Sequence, residues 1–355
     1  MKSDPIFLLS GNFSVYWYGL IIAAAVGTGV AVSCFAQKLR KKNVNHILLA
    51  ALISMPIALF GARLYYKTFG IHNLVTVEQQ ETLKYGGFAL YGAFIGLLAG
   101  CALTALIVGC KLGDLLDASA PGIAAAVAVG RWASVFSGES QGMVIDSPAL
   151  QKLPFAIYNN DEHLWRDSLF FYESLLAAGL CVAFIMLIKS AFNGEKKFTS
   201  GDIYLLFVIT FCLTNGLFED RRCDPLFFVN EYVTKLQTVR VSFALGGLFS
   251  AVALAILLLR RMFREGIKLP TVMFCLGCAV FYFGYFCTVL RVCTDNELLN
   301  FIIVTVSGLV LISFGFANVF YMASNLPGKN KGGAPKKQQS SRSRASRENS
   351  SDFEW

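Results

Sequence analysis

The sequence predicts an all-α protein, a polytopic transmembrane helical bundle of about nine helices. Only 15% of its 355 residues are charged and 55% are hydrophobic, whereas about a quarter of the residues in a soluble domain are charged. The mean hydropathy is +0.56, so the bilayer is the expected solvent for most side chains. Nine apolar segments approach the roughly 20 residues that a helix needs to cross a membrane. In chain order they are residues 15–36, 46–66, 86–110, 117–136, 168–191, 201–218, 240–259, 270–290 and 300–322.

The segments differ in composition and divide the chain into three predicted regions. We expect no cleaved signal peptide before the first segment, because no basic stretch leads into a small-residue cleavage site. The third segment begins in a glycine-rich stretch, Gly86–Gly96, and the fourth is rich in Ala and Gly and ends at Arg131. We expect a membrane core over residues 1–265, two additional helices over 266–323 and a disordered basic tail over 324–355.

Lys and Arg accumulate in alternate loops, which predicts the orientation of the chain. With the N-terminus outside, the inner loops carry the basic groups at 38–42, 189–197 and 260–268, and the tail adds seven more after Pro327. Because basic loops stay in the cytoplasm, we place the N-terminus outside and the C-terminus in the cytoplasm. The Ser/Arg/Lys-rich tail is typical of a solvated segment that contacts anionic lipids, and we expect no nucleic acid as a partner.

Ionisable residues beside the apolar segments are candidates for function, because charge at membrane depth is costly. Arg63, Arg131 and Glu219 all fall near the predicted outer face. The same face receives Glu139, Tyr172, Glu173 and Arg222. A single Arg at a helix end often only reaches the lipid headgroups, but several together suit a phosphate ester through paired hydrogen bonds. The pattern indicates a phospholipid headgroup as the ligand at the outer leaflet.

The stretch Gly86–Gly96 has two interpretations. One is close packing of neighbouring helices. The other is a backbone that lets a lipid or another chain approach, with Tyr91 pointing into a cavity. The stretch does not predict a nucleotide-binding loop, since it lacks a preceding strand and a Lys-Ser/Thr pair.

Short motifs follow one another over residues 4–263. They are Tyr16-Trp17-Tyr18-Gly19-Leu20, Gly61-Ala62-Arg63-Leu64-Tyr65-Tyr66, Gly86 to Gly96, Asp117 to Pro121, Gly130-Arg131 to Gly142, Arg166 with Tyr172-Glu173, and Glu219 with Arg222. Their order and spacing resemble the motif series of the bacterial prolipoprotein diacylglyceryl transferases, a seven-helix family. The segments 270–290 and 300–322 exceed that pattern.

The resemblance implies an enzyme of lipoprotein biosynthesis in the bacterial cell membrane. Members of the family transfer the diacylglyceryl group of phosphatidylglycerol to the lipobox cysteine thiol, next to the signal peptide of a secreted prolipoprotein. A thioether forms and glycerol-1-phosphate leaves, without a metal or redox cofactor. The resemblance gives catalytic roles to Arg131, Glu139, Tyr91 and Tyr18. It gives substrate-binding roles to Arg63, Ser134, Gly142, Tyr172, Glu173, Asn215, Glu219 and Arg222.

Several positions depart from the family's motifs. Tyr91 and Asp167 stand where the family has His, Ser134 and Ser137 where it has Asn, and Asn215 where it has Arg. A non-catalytic lipid- or lipoprotein-binding membrane protein on the same scaffold is therefore the alternative hypothesis. A small-solute transporter is a third hypothesis and the weakest, since the sequence shows no inverted repeat.

Overall fold

The fold is built mainly from long helices. A computed structural model describes residues 6–10, 13–70, 88–137, 140–153, 155–159, 163–192, 198–219, 222, 240–266, 269–289 and 306. The long helices are α1 (Trp17–Leu39), α2 (Asn45–Gly70), α3 (Leu90–Val108), α4 (Leu112–Gly130), α6 (Leu169–Phe192), α7 (Asp202–Glu219), α8 (Val241–Glu265) and α9 (Leu269–Val289). A 3₁₀ turn (Arg131–Ala133) and the short helix α5 (Ser134–Ser137) continue from α4.

Eight of the nine predicted segments correspond to a long helix. The ninth, 300–322, lies outside the described residues except for Val306, so the count of about nine helices is not confirmed. Six helices, α1 to α4, α6 and α8, are long and apolar enough to cross a membrane, whereas α7 and α9 contain shorter apolar stretches. Helix α4 begins at Leu112, five residues before the predicted start at 117. Its first turns can carry Asp114 and Asp117 because a basic residue, Arg40, pairs with both.

Five short strands correct the all-α prediction. Strands β1 (Ile6–Ser10) and β2 (Phe13–Tyr16) form an antiparallel hairpin just before α1. The stretch between the predicted fourth and fifth segments contains β3 (Gln141–Val144), β4 (Ala156–Asn159) and β5 (Leu164–Ser168), in the antiparallel order β3-β5-β4. Strands of four or five residues are too short for alternation of polar and apolar residues to stand out in the sequence.

Glycines bring two pairs of helices into backbone contact. On α3, a Cβ at Gly96 would lie 2.7 Å from Ala58 Cα of α2, and a Cβ at Gly61 of α2 would lie 2.6 Å from the Gly92 carbonyl oxygen. On α4, a Cβ at Gly122 would overlap Ser33 of α1. Lipid offers no hydrophobic drive for helix association, so close van der Waals packing at small residues has to supply it. The close-packing interpretation therefore holds for Gly92 and Gly96, the described glycines of the glycine-rich stretch.

Ion pairs tie the helices together at one end of the bundle. Arg40 of α1 contacts Asp114 at 3.0 Å and Asp117 at 3.2 Å. The Asp117 carboxylate also accepts hydrogen bonds from the backbone N–H groups of Gly201 (2.8 Å) and Tyr204 (2.9 Å), where α7 begins. The candidate site lies at the opposite end, where α4 and α7 end and α6 and α8 begin; we call this the site end.

Candidate functional site at one end of the bundle

Two guanidinium groups converge on one buried oxygen at the site end. Arg131, in the turn after α4, donates from Nη1 to Ser140 Oγ at 3.1 Å. Arg222, just past α7, donates from Nη2 to the same oxygen at 2.9 Å. Ser140 is 0% exposed and its φ is +55°, a left-handed conformation that non-glycine residues rarely adopt. Two arginines that share one oxygen are arranged as they would be around a phosphate oxygen.

Each of these arginines has a buried carboxylate as its counter-charge. Glu173, in the first turns of α6, contacts Arg131 Nε through Oε2 at 3.0 Å. Glu219, the last residue of α7, places Oε2 3.5 Å from Arg222 Nη1, and Arg240 donates to the Glu219 carbonyl oxygen. Because Glu219 is only 2% exposed, its attraction to Arg222 is weakly screened by water. The carboxylates fix the directions in which the guanidinium groups point.

An apolar groove of about 540 Å³ leads away from Arg131 between α1, α2, α3 and α4. Its volume falls within the roughly 300–1,000 Å³ typical of small-molecule sites. Tyr18, Arg131 and Ser134 line it at the site end, and Ile47 lines it near the other end. Most of the remaining lining is aliphatic. The groove therefore offers a polar end and a long apolar body, which is the shape of a lipid.

Tyr91 and Asn215 contact each other away from this groove. Tyr91 is 3% exposed, and its hydroxyl accepts a hydrogen bond from Asn215 Nδ2 at 3.4 Å. A Cβ at Gly246 of α8 would lie 2.6 Å from that hydroxyl. Tyr91 does not line the groove, although its neighbours Leu90 and Ala93 do. Tyr91 therefore does not point into this groove, because its side of α3 faces α7 and α8.

The remaining predicted residues lie at different distances from the arginine pair. The Tyr172 ring stacks on Phe218, with centroids 6.5 Å apart. The Gly142 carbonyl accepts a hydrogen bond from Arg166 Nη1 at 3.2 Å. Arg63 lies near the end of α2, is half-buried and does not line the groove. Glu139 lies outside the described residues.

Sequence reasoning missed two residues of the site, Ser140 and Arg240. Ser140 stands between Glu139 and Gly142 inside the motif Gly130-Arg131 to Gly142, so its position in that motif is a signal that could have found it. Arg240 directly precedes the apolar run of α8, where a charged residue is an ordinary helix boundary. Among the described residues, no group of three or more His, Cys, Asp and Glu side chains is placed to hold a metal ion.

Comparisons with known proteins agree on one family. Residues 5–260 match the sequence model of the prolipoprotein diacylglyceryl transferases. The chain is 30% identical over 276 residues to phosphatidylglycerol–prolipoprotein diacylglyceryl transferase 1 of Clostridium perfringens, an alignment that covers 74% of this chain and 98% of that protein. It is 26% identical over 245 residues to the transferase of Clostridium botulinum strain Langeland, which covers 66% of this chain and 92% of the relative. For the transferase of Clostridium kluyveri the identity is 27% over 241 residues, with 66% and 90% covered.

Proposed function

The chain belongs to the prolipoprotein diacylglyceryl transferase family, and we propose that it transfers the diacylglyceryl group of phosphatidylglycerol to the lipobox cysteine thiol of secreted prolipoproteins. One observation carries the proposal. Arg131 lines the apolar groove and also shares Ser140 Oγ with Arg222. A phosphate held by the two arginines would therefore sit directly at the mouth of a groove that accepts acyl chains. This is the arrangement that a phospholipid substrate needs.

The chemistry is a displacement at carbon. The acceptor thiol loses its proton to a base, and the sulfur attacks the glyceryl carbon that carries the phosphate ester. A sulfur–carbon bond forms, the carbon–oxygen bond breaks, and the electron pair leaves with glycerol-1-phosphate. Arg131 and Arg222 stabilise the negative charge that develops on the leaving phosphate. No electron is gained or lost overall, so the step needs no redox cofactor.

The roles of individual residues follow from their places. Tyr18 and Ser134 line the groove at the site end, next to Arg131, and would contact the headgroup or the glyceryl oxygens. Glu173 and Glu219 orient the two arginines. For the proton-transfer step we propose Glu139 and Tyr91, on the resemblance to the family's motifs alone.

We propose that the site end faces outward and that the N-terminus is outside. At the opposite end Arg40, Lys42, Arg260 and Arg264 pair with aspartates of α4 and α7. This concentration of basic residues favours the cytoplasmic side. The same orientation puts the basic tail after Pro327 in the cytoplasm, where anionic lipids are the expected contact. A secreted prolipoprotein would then meet the site at the outer leaflet of the bacterial cell membrane.

The non-catalytic alternative draws its support from Tyr91 and Asn215, two of the positions that depart from the family's motifs. It is less favoured, because both arginines of the pair and both of their carboxylates are in place around Ser140. The relatives in the comparison are also named as transferases. The transporter hypothesis finds no comparable support.

The test is complementation. The chain is expressed in a bacterial strain depleted of its own transferase, and diacylglyceryl-modified lipoprotein is measured by mass spectrometry. We expect modification by the wild type and a loss of about 100-fold or more in Arg131→Ala, the cost of removing one donor from a developing oxyanion. Lys67→Ala removes an exposed charge near the same end of α2 and should stay within about twofold of wild type. A correctly inserted wild type that modifies no lipoprotein would reject the transferase function, and full activity of Arg131→Ala would reject the phosphate-binding role.

A further inference from the structure

Helix α9 lies outside the residues that match the family, yet it packs against the part of the fold that leads to the site. The family match ends at residue 260, whereas α9 spans Leu269–Val289. Its Tyr285 is 8% exposed. The Tyr285 hydroxyl donates a hydrogen bond to the Phe243 carbonyl oxygen at 2.7 Å, and its ring lies 4.7 Å from the Phe243 ring between centroids. Tyr285 therefore holds the first turn of α8.

Two consecutive glycines, Gly246 and Gly247, leave α8 without side chains where Tyr285 packs against it. A Cβ at Gly247 would overlap the Tyr285 ring, so only glycine leaves room for the tyrosine. A Cβ at Gly246 would lie 2.6 Å from the Tyr91 hydroxyl. One tyrosine from α3 and one from α9 thus press on neighbouring faces of the same helix, each at a position without a side chain. The contact fixes where α8 lies between the core and α9.

The first turn of α8 connects directly to the arginine pair. Arg240, the residue before α8, donates to the Glu219 carbonyl oxygen. The Glu219 carboxylate pairs with Arg222, and Arg222 donates to Ser140 Oγ beside Arg131. Contacts therefore run without a break from Tyr285, through the start of α8, to the proposed phosphate site. The groove for the acyl chains, in contrast, is built by α1 to α4 and contains no residue of α8 or α9.

We infer that Tyr285 is a positioning residue for the transfer reaction, acting through the start of α8 on Arg240, Glu219 and Arg222. The inference rests on the proposed transferase function. Loss of Tyr285 leaves the acyl groove intact but lets the arginine that stabilises the leaving phosphate move. The expected signature is a loss in kcat that is larger than the change in the KM for phosphatidylglycerol.

The experiment measures transfer of the diacylglyceryl group to a lipobox peptide by the purified full-length chain in phosphatidylglycerol-containing micelles. We expect Tyr285→Ala to lower kcat by about 5- to 30-fold, the range that remote coupling commonly reaches. The KM for phosphatidylglycerol should change less than kcat, because the groove proposed for the acyl chains contains no residue of α8 or α9. Tyr285→Phe keeps the aromatic ring against Gly247 and should recover part of the loss in kcat. Phe283→Ala, a change on the same helix at a side chain that is 73% exposed, should match the wild type.

A double-mutant cycle tests the contact between Tyr285 and Gly247. Gly247→Ala should lower kcat in the wild type, where the new methyl group displaces Tyr285, and should add nothing in the Tyr285→Ala background, where there is room for it. Equal losses in both backgrounds would overturn the inference. So would an unchanged kcat in Tyr285→Ala, or a loss of kcat that only follows the loss of folded protein measured by size exclusion. A wild type without transfer activity would instead overturn the proposed function and the inference together.

Discussion

Asp117 offers the sharpest test of how the bundle is held together at the end opposite the site. The first N–H groups of a helix have no hydrogen-bond acceptor within the helix. At the start of α7, the carboxylate of Asp117 on α4 is that acceptor. It accepts from the Gly201 and Tyr204 N–H groups at 2.8 and 2.9 Å, and it contacts Arg40 at 3.2 Å. Asp117 is 1% exposed. Water can therefore replace few of the hydrogen bonds that are lost when the Asp117 carboxylate is removed.

The expected cost of Asp117→Ala can be worked from these contacts. A hydrogen bond to a charged group contributes about 1.5–3 kcal/mol, and two backbone donors would lose their partner. Arg40 keeps Asp114 at 3.0 Å, so the variant should lose about 3–6 kcal/mol rather than the larger cost of stripping a buried charge of all its partners. At about 2–4 °C for each kcal/mol, the thermal midpoint in detergent should fall by roughly 6–24 °C.

The assay combines thermal unfolding with transfer activity measured well below the midpoint. Asp117→Asn keeps one oxygen acceptor in the same volume and should cost about half as much as the Ala variant. Activity per folded molecule should stay near wild type in both, because Glu219 lies ~25 Å along α7 from its first turn at 1.5 Å per residue. A free energy of unfolding within about 1 kcal/mol of wild type for Asp117→Ala would refute the reasoning.

Three further predictions concern the site and the groove. Glu173→Gln removes the counter-charge of Arg131, which lies 3.0 Å away, and should lower kcat/KM by roughly 10- to 100-fold, since small displacements of a reacting group cost that much; the peptide transfer assay measures it. Gly122→Ala would place a methyl group against Ser33 and should cost about 1–3 kcal/mol through overpacking, seen as a lower thermal midpoint. Ala93→Phe would fill part of the groove that Ala93 lines and should raise the KM for long-chain phosphatidylglycerol by roughly tenfold, with a smaller effect on short-chain lipid.

Each of these predictions has its own control or contrary outcome. Gly179→Ala, at a helical glycine with nothing within 4 Å of a new Cβ, should be neutral or slightly stabilising, and equal losses at both glycines would contradict the packing argument. Ile95→Phe changes a side chain of α3 that is 50% exposed and should leave KM unchanged. Equal KM shifts for short and long acyl chains in Ala93→Phe would remove the groove as the acyl site. A Glu173→Gln enzyme with wild-type kcat/KM would show that Arg131 needs no partner.

The long helices could be predicted because the signal for them is local. A run of about twenty apolar residues specifies a membrane helix without reference to the rest of the chain. Eight of the nine predicted segments coincide with α1 to α4 and α6 to α9, and six of these helices are long and apolar enough to cross a membrane. The start of α4 was misplaced for a non-local reason. Asp114 separates two apolar runs in the sequence until Arg40, more than 70 residues earlier, is placed against it. The strands β3 to β5 were missed because each pairs with a partner that no local pattern identifies.

The site could be predicted in its residue types but not in its contacts. Arg131, Glu173, Glu219 and Arg222 were all candidates from their charge beside apolar segments, and the structure joins them through Ser140. Ser140 carries no charge, and its role depends on a left-handed backbone that the sequence does not reveal. Tyr91 was expected in a cavity because a glycine-rich stretch indicates close approach. That stretch does bring α3 against α2, but it turns Tyr91 toward α7 and α8.

The two departures at Tyr91 and Asn215 are not independent of each other. The positions are 124 residues apart in sequence, yet the side chains share a hydrogen bond of 3.4 Å. The motifs that the chain resembles have His and Arg there, so this chain holds a neutral pair where the resemblance implies two groups able to carry positive charge. A buried neutral pair that satisfies itself needs no counter-ion, and it leaves Arg131 and Arg222 as the cations placed around Ser140. The phosphate chemistry of this chain should therefore depend more steeply on Arg131 and Arg222 than it would with His and Arg at positions 91 and 215.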